Sequence, residues 1–182
     1  MDQLQWQTIT YLAEQLGQKL LAEQASVSTA ESCTGGGIAE AITRIAGSSA
    51  WFEVGFVTYS NRQKTRVLKV AESDLQRDGA VSQSVVEAMA RGAQLLADAQ
   101  YAVAVSGVAG PGGGSPEKPV GTVWIAWTHG AQVQSGCWRF AGDRQAVRQQ
   151  TVQAALAGLL CVVEGLAANT WQQWLKKHLP NQ

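Results

Sequence analysis

One run of residues holds the side chains best placed for chemistry: Ser28-Thr29-Ala30-Glu31-Ser32-Cys33-Thr34-Gly35-Gly36-Gly37. Val27 to Ala30 reads as a short strand and Gly35 to Ala46 as a helix, so Ser32 falls on a strand-to-helix turn. The first N–H groups of a helix lack intrahelical partners and sit at the positive end of its dipole. Such a place can hold a phosphate, or it can stabilise the oxyanion formed when a nucleophile attacks a carbonyl. In the second case Ser32 is the nucleophile, and the N–H groups of Cys33, Thr34, Gly35 and Gly36 are the donors. A plainer reading leaves Ser32 and Thr34 as helix caps. Cys33 is a rival nucleophile, because a helix N-terminus favours a thiolate. Free cysteine is nevertheless most often a small buried apolar residue.

Other segments could complete a site. Tyr59 and Lys64 lie in Thr58-Tyr59-Ser60-Asn61-Arg62-Gln63-Lys64, just past the second strand. A lysine held neutral by burial and nearby cations can serve as the base of a serine, and otherwise is a solvated helix residue. Gly107-Val108-Ala109-Gly110-Pro111-Gly112-Gly113-Gly114-Ser115 is a glycine-rich loop. It matches neither a P-loop nor a dinucleotide fingerprint. Its backbone could still form a nest for an anion, with Gly107, Ala109 and Gly110 approaching a polar ligand. Arg144 and Arg148 are four apart on one helix face, a spacing suited to phosphate, or to surface ion pairs. His129 and His178 have no ligand-type neighbours, so neither a metal site nor a histidine-based triad is expected.

The elements that must position these residues follow the order helix, strand, helix, strand, helices, strand, hairpin, helix. Residues 3–24 read as an amphipathic helix on Leu4, Tyr11, Leu12, Leu16, Leu20 and Leu21. Strands are expected at 52–59 and 101–106, the latter a nearly all-apolar run covered on both faces. Helices are expected at 61–68, capped by Asn61, at 73–78, and from Ser82 onward. Strands 122–128 and 132–140 form a hairpin around His129-Gly130. Asp143 then caps a last long helix. This order indicates a three-layer α/β/α sandwich with a mixed sheet, a fold that binds ligands where strands end and loops diverge. No repeat or linker divides the 182 residues, so one domain is expected, with 166–182 as a helical extension carrying Trp171, Trp174, Leu175 and Leu179.

Composition excludes several classes. Fourteen basic residues balance fourteen acidic ones, which argues against nucleic acid or a membrane surface as partner. No run of about 18–20 apolar residues is apparent. Met1 to Gln15 lacks the basic start and apolar stretch of a signal peptide. Cys33, Cys137 and Cys161 form no pairwise motif, which suits a reducing cytoplasm.

Taken together, the motifs resemble the CinA C-terminal domain family in its stand-alone, nicotinamide-nucleotide amidase form. The resemblance rests on Thr29 to Gly36, Ala46 to Phe52, Gly55 to Asn61 and Gly79 to Ser82. It continues through Ser106 to Pro111, Lys118 to Val123, and Gly142-Asp143-Arg144 with Arg148, in order across residues 5–165. It implies an anticodon-binding-domain-like α/β/α fold. It implies hydrolysis of the carboxamide of nicotinamide mononucleotide to nicotinate mononucleotide and ammonia. Ser32 would be the nucleophile, Lys64 its base and Tyr59 an assistant, with no metal and no cofactor. Arg148 or the glycine loop would take the nucleotide phosphate, and a homodimer or larger assembly is expected. The separate N-terminal pyrophosphatase domain of full-length CinA proteins is not among these residues, so its activity is not implied. The alternative is a non-catalytic nucleotide-binding or regulatory module, in which Ser32 only caps a helix; a third reading is a Cys33-dependent hydrolase.

Overall fold

The computed structural model of the chain describes residues 3–179. Its elements are α1 (Gln3–Glu23), β1 (Val27–Glu31), α2 (Gly37–Thr43), β2 (Gly55–Val57), α3 (Asn61–Leu68), α4 (Glu72–Asp78) and α5 (Gln83–Leu96). Then come β3 (Tyr101–Gly107), β4 (Thr122–His129), β5 (Gln132–Arg139), α6 (Arg144–Val163) and α7 (Trp171–His178). The strands form one sheet in the order β2-β1-β3-β4-β5. β1 pairs in parallel with β2 and β3, while β4 and β5 continue antiparallel. The expected mixed-sheet α/β/α sandwich is the architecture found.

Period-two alternation divides the sheet between two cores. Tyr101, Val103 and Val105 of β3 face a core shared with α1, α2, α6 and α7, together with Val123, Ile125 and Trp127 of β4. Ala102 and Ala104 face the opposite way, with Ala30 and Ala126, toward Leu68 of α3 and the apolar side of α5. Alanines on that face let α5 lie close to the sheet, and the larger side chains fill the space under α6.

The chain order also locates a crevice. From β1 the chain moves to one side to make β2, then crosses back over β1 to make β3. The connections that leave the C-terminal ends of the paired strands β1 and β3 therefore part to opposite sides, where a doubly wound sheet opens a ligand site. Ser32 stands at that point, its N–H donating to the Val105 carbonyl at 3.1 Å.

Several boundaries differ from expectation for local reasons. The helix expected from Gly35 starts at Gly37, because Gly35 and Gly36 take positive φ of 59° and 97°. The strand expected over 52–59 shortens to Gly55–Val57, and only three of its residues pair with β1. Ser60, not Asn61, caps α3, its side chain accepting from the Gln63 N–H. Ser82 is the N-cap residue of α5 rather than its first turn. The hairpin turn is Gly130-Ala131. Leu4 and Leu21 of α1 are exposed; Ile9, Leu12, Ala13, Leu16 and Leu20 form its buried face. α6 is long and apolar enough to meet a length-and-composition criterion for a membrane span, which the reading of apolar runs missed. Twelve of its residues are buried in the core. Trp171 and Trp174 bury themselves beside α6, so the extension packs on the domain; residues 180–182 of it lie outside the described residues.

Candidate active site

Lys64 is the most informative side chain. It sits in the second turn position of α3 and is 1% exposed. Its Nζ donates to Ser32 Oγ at 3.0 Å, to the Thr58 carbonyl at 2.9 Å and to the Tyr59 carbonyl at 3.3 Å. Burial lowers its pKa from 10.5 to about 8. A neutral amine has two N–H donors and one lone pair. The two carbonyls can take the donors, which leaves the lone pair aimed at the Ser32 hydroxyl. Ser32 is half-buried at the end of β1. The pair thus has the spacing of a nucleophile and its base.

The turn after Ser32 has a definite donor pattern. Glu31, fully buried, turns its carboxylate back onto the start of α2. Its Oε2 accepts from Thr34 Oγ1 at 2.6 Å, from the Gly36 N–H at 3.1 Å and from the Ile38 N–H at 3.0 Å. Its Oε1 accepts from the Ala39 N–H at 2.8 Å. The Gly35 N–H donates to the Ser32 carbonyl and the Gly37 N–H to the Thr34 carbonyl. Glu31 therefore fills the helix N-terminus that the sequence offered to an anion. Among the described residues, the N–H groups of Cys33 and Thr34 have no acceptor on another residue. Glu31 was not singled out from the sequence. Its signal was an acidic residue ending a strand of otherwise small, uncharged residues, where burial demands several donors.

The remaining candidates divide. Thr34, Gly35, Gly36, Gly110, Arg144 and Arg148 line a cavity of about 1000 Å³, with Trp6 and Arg44 at another part of its wall. Ser32 and Lys64 are not in that lining; it begins two residues past Ser32. Arg148 donates to the Thr34 carbonyl at 2.6 Å. Arg144 donates to the Gly110 carbonyl at 2.9 Å and to the Tyr59 hydroxyl at 3.1 Å. Tyr59 is 60% exposed; its carbonyl, rather than its ring, meets Lys64.

Ala109 is buried and absent from the lining. Gly107 pairs with Val123, and a Cβ there would lie 2.6 Å from the Val123 side chain and 2.7 Å from the Thr122 carbonyl. That glycine serves the β3–β4 contact. The Cys33 side chain belongs to the core, and burial pushes its thiol up to about 12. It is a neutral thiol at pH 7, unsuited to attack. No group of three or more His, Cys, Asp or Glu side chains suited to a metal occurs among the described residues.

Comparison with known proteins bears on the family and the fold. The CinA C-terminal domain family matches residues 9–163. The nicotinamide-nucleotide amidohydrolase PncC of Pseudomonas putida is 67% identical over 152 residues, covering 84% of this chain and 95% of its own. The protein of the same name from Escherichia coli K12 is 53% identical over 168 residues, covering 91% and 94%. The crystal structure of a CinA superfamily protein from Escherichia coli superposes with a TM-score of 0.83 at 39% identity, covering 89% of this chain and 93% of that one. The competence/damage-inducible protein CihA from Agrobacterium tumefaciens gives 0.83 at 44% identity, covering 86% and 96%. The chain belongs to the CinA C-terminal domain family.

Proposed function

We propose that this protein is a nicotinamide-nucleotide amidohydrolase, releasing ammonia from nicotinamide mononucleotide and leaving nicotinate mononucleotide. The observation that carries the reading is the 3.0 Å contact between Ser32 Oγ and the buried Lys64 amine. Relatives at 53–67% identity bearing that name support the substrate. Neutral Lys64 takes the Ser32 proton as Oγ attacks the carboxamide carbon. The N–H groups of Cys33 and Thr34 hold the oxyanion. Lys64 passes its proton to the departing nitrogen, ammonia leaves, and Ser32 carries a nicotinoyl ester. Water then attacks that ester and gives its proton to Lys64; the ester C–O bond breaks, Lys64 returns the proton to Ser32 Oγ, and nicotinate mononucleotide leaves.

The substrate phosphate has two candidate arginines. Both line the cavity; Arg148, half-buried, holds the Thr34 carbonyl, and Arg144, exposed, holds the Gly110 carbonyl and the Tyr59 hydroxyl. The exposed Arg144 side chain has the more room to turn toward a phosphate. Three free cysteines suit a reducing cytoplasm. The exposed pair Leu95 and Leu96 suits a homodimer or larger assembly, which sedimentation velocity would measure.

Ammonia release from nicotinamide mononucleotide tests the reading. Wild type and Cys33→Ala should be active and Ser32→Ala inactive. Lys64→Met should lose about 10²–10⁴-fold in kcat, the span of a positioned general base. A wild type that binds the nucleotide and releases no ammonia would replace this reading with a non-catalytic binding module.

A further inference from the structure

We infer that Glu31 is a positioning residue for the reaction: its carboxylate fixes the Ser32–Gly36 turn so that the Cys33 and Thr34 N–H groups stay free for the developing oxyanion. The inference rests on the amidohydrolase reading and adds to it an organiser outside the Ser32–Lys64 pair.

A turn of this kind has many N–H groups and several ways to fold on itself. Glu31 removes the competing arrangements. It binds three N–H groups of the following helix and the Thr34 hydroxyl, all between 2.6 and 3.1 Å. Its own backbone is held in the sheet, and its carbonyl accepts from the Thr58 N–H at 2.9 Å. The carboxylate thus ties α2 to a strand that cannot shift. Thr34 is gripped twice, through its hydroxyl by Glu31 and through its carbonyl by Arg148. The peptide between Cys33 and Thr34, which carries one of the two free N–H groups, is therefore fixed on its C-terminal side. On its N-terminal side, the Ser32 N–H is anchored on Val105.

Three substitutions test this with ammonia release and one inhibitor. Glu31→Gln keeps the shape but replaces one acceptor oxygen with an NH₂ that faces backbone donors. Thr34→Val leaves the carboxylate cap on α2 and deletes only the grip on Thr34. The expected result is a fall in kcat with KM within about twofold. The fall should be about 10²–10³-fold for Glu31→Gln, comparable to losing an oxyanion donor, and about tenfold for Thr34→Val. Thr34→Ser, which restores the hydroxyl, should return most of it. Inhibition by 3-pyridineboronic acid, which forms a tetrahedral adduct on a reactive serine, should weaken in step with kcat. If Glu31→Gln does not fold, as judged by thermal melting, the Thr34 pair carries the test alone. Unchanged kcat in Thr34→Val, or a rise in KM with kcat intact, overturns the inference while leaving the amidohydrolase reading in place. A wild type without turnover overturns both.

Discussion

Lys64 couples activity and stability through one proton. Its burial lowers the pKa from 10.5 to about 8, so at pH 7 most molecules hold the ammonium form, which cannot accept the Ser32 proton. Activity should therefore climb with pH and level off above about 8, the limb vanishing in Lys64→Met; a pH profile of kcat/KM from 6 to 9.5 reads this directly. The stability effect has the same direction. Between about pH 8 and 10.5 the unfolded chain binds the Lys64 proton and the folded chain does not, so stability rises with pH across that window. At 1.36 kcal/mol per pH unit the rise amounts to about 3 kcal/mol. In urea titrations, the gain in unfolding free energy from pH 7.5 to 10.5 should be larger in wild type than in Lys64→Met by that order. A difference of zero would mean that water reaches the amine. The sequence offered Lys64 as one candidate among solvated lysines; what singles it out is burial, which requires α3 to be docked against the sheet.

At the scale of elements, the β1–α2 turn and the start of α6 meet because both lie at the C-terminal ends of the parallel strands. The strand–glycine–helix pattern made the first legible. Asp143, which accepts from the Ala146 N–H at 2.9 Å, made the second legible as a capped helix. The shared cavity was not legible, because Trp6 and Arg44 reach it from helices whose packing no local pattern specifies. Their own contact, the Arg44 guanidinium 4.2 Å above the Trp6 ring, joins residues 38 apart in sequence. The packing of Gly107 was not legible for a related reason. A glycine beside a glycine loop looks like ligand space, yet its neighbour is the next strand. Arg144 belongs to this scale too, since it ties the loop after β2 to the loop after β3. If it turns to the phosphate, Arg144→Gln should raise KM for nicotinamide mononucleotide about tenfold or more, a charge-assisted hydrogen bond being worth about 1.5–3 kcal/mol. Hydrolysis of the unphosphorylated riboside, slow in both proteins, should be unaffected. An equal effect on both substrates would mean that Arg144 only braces the loops.

For the whole molecule, the site depends on one face of the sheet more than the other. α1, α2, α6 and α7 share a single core, and α2 and α6 carry Thr34's neighbours and Arg148 into the cavity wall. The terminal helix closes that core from outside. Trp171 lies 7% exposed against Trp138 and Phe140, and Trp174 donates from its indole N–H to Glu164 at 2.8 Å. Glu164 in turn pairs with Lys19 of α1 at 2.8 Å, linking three helices. The sequence showed a helical extension carrying these tryptophans; what they cover is set by tertiary packing. Their burial within the chain predicts a folding role. Trp171→Ala should destabilise the protein by about 3–5 kcal/mol, the usual cost of deleting a large buried aromatic. It should do so at every protein concentration, because the ring's neighbours are intramolecular. Since the Ser32–Lys64 contact is made by the end of β1 and by α3, with Lys64 held by the Thr58 and Tyr59 carbonyls and not by α7, kcat below the melting transition should remain near that of wild type. A concentration-dependent melting shift caused by the substitution would instead place Trp171 at a subunit contact.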